Sequence, residues 1–189
     1  MSGSRGRGPL VWLGPAIADA DAEISESGAA TVEAVVVEDD TFHVLSPLPV
    51  AREEHVPGGW LLRQALEARP ATPGSVEIEE GEPILRLVAV VYDLQEEPPS
   101  REEWVAAALD GVLQEANRLG IRTLALPLLG CRLGGLSAER FAELYGSAIE
   151  RVDINSLREV RMLTSGENLG IVAHTLRGLG VGVRERDQI

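Results

Sequence analysis

Short apolar runs alternate along this chain with longer segments whose apolar residues recur at helical spacing. Leu10–Leu13 and Val32–Val37 read as buried strands, separated by a polar, alanine-rich stretch that contains Glu23-Ile24-Ser25. Phe42–Leu45 reads as another short strand. Proline, acidic residues and glycine between Ser46 and Gly59 then form a long irregular connection, a kind of segment that is often functional or mobile in compact domains. Trp60–Ala68 reads as a helix opened by Gly58-Gly59. Val76–Ile78 and Ile84–Tyr92 follow as strands, the second continuously apolar over Leu87–Val91, as expected of a strand buried on both faces.

Ser100 with Glu103 three residues on has the form of a capping box. Behind it Trp104, Val105, Ala108, Leu109, Val112, Ala116 and Leu119 fall within roughly 140° of one helical face, and Gly120 ends the helix. Thr123–Leu126 is the next strand. Ser137 caps a helix with Phe141, Leu144, Tyr145, Ala148, Ile149 and Val152 on one side. Val160–Leu163 predicts a strand, Leu169–Leu176 a helix, and Val181–Val183 a last strand. Strands alternating with amphipathic helices predict an α/β fold, specifically a three-layer α/β/α sandwich with a mixed, largely parallel sheet. Residues 10–189 are expected to form one domain behind a flexible tail at 1–9, since 189 residues supply one sizeable core.

Composition narrows the function classes. The net charge of −13 argues against general nucleic-acid binding and against anionic membranes, and no apolar run approaches the roughly 18–20 residues that span a bilayer. All 17 basic residues are arginine, which excludes a lysine Schiff base and the lysine of a Walker A loop. The lone cysteine, Cys131, forms no internal disulfide and fits a reducing cytoplasm. His43, His55 and His174 are scattered without ligand or triad spacing, so neither a metal nor a cofactor is expected, and Cys131 reads as a structural thiol. Glu38-Asp39-Asp40 reads as solvated loop charge.

The most informative stretch is Leu124-Ala125-Leu126-Pro127-Leu128-Leu129-Gly130-Cys131-Arg132-Leu133-Gly134-Gly135-Leu136-Ser137. A buried strand breaks at Pro127 into a glycine-rich loop that delivers the chain into a helix. Such a loop turns several backbone N–H groups toward one anion, because glycine permits close approach and positive φ. A strand-to-helix turn that needs glycine for geometry alone is the simpler alternative.

From Gly58-Gly59 through Val152 the order of features resembles the macro domain, an ADP-ribose-binding module. Gly58-Gly59-Trp60-Leu61-Leu62-Arg63-Gln64-Ala65-Leu66 is similar to the family's glycine-led first helix, and Ile84–Tyr92 to its central apolar strand. Thr123–Leu136 is similar to its second phosphate loop. Glu23-Ile24-Ser25 and Val32–Val37 resemble the family's Asp-Ile-Thr turn and the strand after it. The resemblance implies ADP-ribose or a related nucleotide diphosphate as ligand, free or on an ADP-ribosylated protein. It implies Glu23, Ile24, Gly58, Gly59, Leu129, Gly130, Cys131, Arg132, Leu133, Gly134 and Gly135 as ligand-binding residues.

Departures accompany the likeness. Where the family carries an Asn-Ala-Ala-Asn-like segment, this chain reads Glu38-Asp39-Asp40-Thr41-Phe42-His43. Arg132 stands where the family loop has glycine, and either pairs with a diphosphate or obstructs the cradle. Two alternatives to plain binding follow. One is a hydrolase of ADP-ribosyl esters or ADP-ribose phosphate, for which Asp39, Asp40 and His43 are the residues available to position water. The other is a scaffold that has kept the fold and lost the ligand.

Overall fold

The computed structural model describes residues 7–15, 32–45, 70–79, 84–164 and 166–185. Seven strands form one sheet: β1 (Arg7–Pro15), β2 (Ala34–Asp40), β3 (Val76–Glu79), β4 (Leu85–Tyr92), β5 (Thr123–Pro127), β6 (Glu159–Thr164) and β7 (Val181–Glu185). Their order across the sheet is β3-β4-β2-β5-β6-β1-β7. Every neighbouring pair is parallel except β3–β4, which is antiparallel. The mixed, largely parallel sheet expected from the strand–helix alternation is therefore present. β1 begins at Arg7, ahead of the Leu10 expected from the apolar run.

Among the described residues the helices are α1 (Glu102–Arg118), α2 (Ala138–Arg151) and α3 (Gly166–Gly178). They pack side by side, α1 on α2 and α2 on α3. Their apolar stripes meet the sheet in one core that includes Val36, Leu87, Leu109, Leu126, Phe141, Tyr145 and Met162. The opposite face is buried as well, since Val32, Val35 and Ala125 form a second cluster with Val37, Ile84 and Leu163 against it. Two buried faces are what a sheet inside a three-layer sandwich requires.

Two local expectations need correction. Phe42–Leu45 is a turn, because the side chains of Asp39 and Asp40 capture its amides before a strand can pair. α1 has Arg101 at its N-cap and no side-chain capping bond, so Ser100 does not close the helix end. Ser137 does cap α2, its hydroxyl accepting from the Arg140 amide at 3.1 Å. The helix expected at Trp60–Ala68 lies outside the described residues.

Candidate functional site

The crevice arises from how β2 shares its two edges. Its ladder with β4 runs the length of the strand, from Ala34–Leu85 to Asp40–Tyr92. Its ladder with β5 stops after Ala34–Leu124 and Val35–Ala125, although both strands continue. The carboxyl ends of β2 and β5 therefore part, and the chain leaving β5 folds over the gap. In parallel sheets this is where ligands bind.

The Gly130–Gly135 loop covers that gap. Gly130 has φ +75° and Gly135 φ +72°, conformations that favour glycine. The Leu136 amide donates to the Gly130 carbonyl at 3.3 Å and the Cys131 amide to the Leu128 carbonyl at 3.1 Å, which closes the loop at its base. A Cβ on Gly134 would lie 2.4 Å from the Ser100 Cβ, so the loop presses directly against the segment entering α1. The amides of Arg132, Gly134 and Gly135 have no partner among the described residues.

Beneath the loop lies a group that the sequence pattern did not single out for this role. Glu38 Oε1 accepts from the Gly130 amide at 2.7 Å and from the Tyr92 hydroxyl at 2.9 Å. The Glu38 side chain is only 8 % exposed, and the Arg132 guanidinium approaches its other oxygen at 3.6 Å while staying largely in solvent. Burial pushes the Glu38 carboxyl above the usual carboxylate range; the Gly130 amide, Tyr92 and Arg132 pull back in part. The Tyr92 hydroxyl also accepts the Leu133 amide at 3.4 Å, and burial and then the Glu38 charge hold it well above the usual phenol range. The carboxylate thus occupies a loop donor that an external anion could otherwise take.

Cys131 lies alongside, half-buried; burial and then the Glu38 charge push its thiol up to about 12. It stays protonated near neutrality, which removes the basis for nucleophilic chemistry. Leu129 is fully buried in the core, so only its backbone can serve a ligand, whereas Leu133 is exposed on the loop. Gly130, Cys131, Arg132, Leu133, Gly134 and Gly135 are thus brought together. Glu23, Ile24, Gly58 and Gly59 lie outside the described residues, as does His55.

Asp39 and Asp40 correct the expectation of solvated loop charge: they are 0 % and 1 % exposed. Asp40 accepts the amides of Phe42 and Val44, each at 2.8 Å, and of Leu45 at 3.0 Å. Asp39 accepts the Asp40 amide and lies 3.0 Å from His43 Nδ1. His43 has φ +56° and faces Glu77 on its other nitrogen at 3.6 Å. These side chains organise a turn.

No protein-family model matches the sequence. Over 111 residues, 58 % of this chain, it is 31 % identical to an uncharacterized protein of Mycobacterium tuberculosis, and the match spans 31 % of that relative's length. Among solved structures, a macrodomain of Oceanobacillus iheyensis with ADPR superposes at a TM-score of 0.62 and 14 % identity, covering 90 % of this chain and 92 % of that one. The macrodomain of Mycobacterium tuberculosis DarG superposes at 0.57 and 18 % identity, covering 84 % of this chain and 100 % of that one. The chain has the macrodomain fold.

Within this fold, Glu38 and Tyr92 are central to the crevice. Period-two alternation along β2 from Ala34 and Val36 puts Glu38 on the helix-facing side, the side of the glycine loop. Tyr92, the last residue of β4, reaches the same point from the neighbouring strand. Ser100, freed from capping, keeps its hydroxyl buried at the loop's edge with no hydrogen-bond partner among the described residues.

Proposed function

We propose that this macrodomain binds ADP-ribose or a related nucleotide diphosphate in the crevice between β2 and β5, with the diphosphate over the Gly130–Gly135 loop. The observation that carries this is the set of donors without a partner among the described residues, the amides of Arg132, Gly134 and Gly135, on a glycine loop at the carboxyl end of a parallel strand. The exposed Arg132 guanidinium adds a cation that can swing from Glu38 to a phosphoryl group. Glu23, Ile24, Gly58 and Gly59 belong to this proposal as contributions from outside the described residues. A protein carrying an ADP-ribosyl group would present the same diphosphate.

Isothermal titration of the folded protein with ADP-ribose tests the proposal. A saturable heat in the micromolar range is expected, and no heat at high micromolar ligand overturns it.

One observation favours a second reading, in which the fold is kept as a scaffold. Glu38 already holds the Gly130 amide, so part of the loop is satisfied from within. Hydrolysis finds less support, because Asp39, Asp40 and His43 are engaged in the turn after β2.

A further inference from the structure

We infer that Glu38 is the residue that sets which anions the crevice accepts and in which protonation state: ionised, it serves as the loop's internal anion and repels a phosphate, and protonated, it turns into a donor toward one. This rests on the loop being the anion site proposed above and adds the determinant of its selectivity.

The argument begins with the division of labour between the two carboxyl oxygens. Oε1 accepts two hydrogen bonds, from the Gly130 amide and the Tyr92 hydroxyl. Among the described residues, Oε2 has only the Arg132 guanidinium nearby, at 3.6 Å. A proton added to Oε2 therefore breaks neither bond to Oε1. It converts Oε2 from an acceptor, which a phosphoryl oxygen must avoid, into an O–H that the same oxygen can accept from. The bare carboxylate and a diphosphate beside the same loop are like charges, and the buried carboxylate is only partly screened by water.

Tyr92 on β4 remains a neutral phenol and Cys131 on the loop a neutral thiol, both held above their ordinary values chiefly by burial. Next along β2, Asp39 and Asp40 direct their carboxylates to the turn and His43 pairs with Asp39. At the start of α1, Arg101 pairs with Glu96 and Glu102 with Arg140. Arg132 is the one cation recorded against Glu38 among the described residues, and it lies mostly in water. Burial already favours the protonated carboxyl in the free protein, and a second anion drives it further the same way. Anion binding therefore takes up a proton.

The test is calorimetric titration of wild type and Glu38→Gln with ADP-ribose from about pH 5 to about pH 8, in buffers of different ionisation enthalpy. The diphosphate diester keeps its charge across this range. Wild-type affinity is expected to fall by about tenfold per pH unit above the Glu38 titration, with close to one proton taken up per ligand. Glu38→Gln is expected to bind at least about tenfold more tightly near neutral pH, with flat pH dependence and no proton uptake.

Wild-type binding that is independent of pH and takes up no proton overturns the role of Glu38 and leaves the ligand proposal standing. If neither protein binds ADP-ribose, the ligand proposal falls, and sulfate followed through the Gly130 and Gly134 amide resonances decides the role of Glu38. Tighter sulfate binding at low pH in wild type supports it; sulfate binding that ignores pH, or none, overturns it. The proton uptake of wild type alone decides the matter should Glu38→Gln not fold.

Discussion

Tyr92 and Glu38 meet across the β2–β4 pair, the hydroxyl donating to the carboxylate at 2.9 Å. Tyr92→Phe removes this donor and also the acceptor of the Leu133 amide. Equilibrium denaturation is expected to show a loss of about 1–3 kcal/mol, because a buried charged acceptor loses a partner. The Glu38 carboxyl carbon resonance should titrate at higher pH than in wild type, since a bond that favours the charged form is gone. An unchanged titration would mean that the hydroxyl does little for the carboxylate.

Glu38 also gives stability a pH dependence of definite sign. Its folded-state value lies above the unfolded one, so the folded protein binds the proton more tightly. Stability from this group falls as pH rises from the ordinary glutamate range through the raised folded value, then levels off. Relative to wild type, Glu38→Gln should therefore melt higher at neutral pH than it does in acid. Thermal melts of both proteins across that range check the difference, and a constant offset contradicts it.

Asp40 holds the turn after β2 through three amides, those of Phe42, Val44 and Leu45. Asp40→Ala orphans them and leaves a gap at a position that is 1 % exposed. A cost of about 2–4 kcal/mol is expected by chemical denaturation, with Asp40→Asn recovering part of it through its amide oxygen.

Gly134 marks the closest approach between the loop and the entry to α1. A methyl group there would meet the Ser100 Cβ at 2.4 Å and the Gly130 carbonyl oxygen at 2.8 Å. Gly134→Ala should cost on the order of 2 kcal/mol. Combining it with Ser100→Gly should restore part of the loss, giving a coupling of at least about 0.5 kcal/mol in a double-mutant cycle. Simple additivity would show that the two segments do not press on one another.

Much of the architecture was legible because it is written in periodicity. The unbroken Leu87–Val91 run marked a strand buried on both faces, and the stripe from Val105 to Ala116 marked α1. Ser137 was readable as a cap because its hydroxyl acts on its own helix. Ser100 was not, because its surroundings are set by Gly130 and Gly134, which are distant in sequence. Asp39 and Asp40 looked like surface charge because their partners are backbone amides, which every residue carries and no sequence pattern displays. The contact between Glu38 and Gly130 spans ninety-two positions and exists only because β2 and β5 are sheet neighbours that diverge. An acidic residue ending a valine run was visible; its place under the glycine loop was not.

The most direct measurement of the central claim follows backbone amide resonances of the loop while ADP-ribose is added near pH 6. Binding at the crevice predicts saturable shifts at Gly130, Arg132, Gly134 and Gly135, with one common affinity and with Gly180 in the β7 turn unmoved. Loop amides that stay in place, while calorimetry records binding or while ligand reaches high micromolar concentration, would contradict a phosphate seat on this loop.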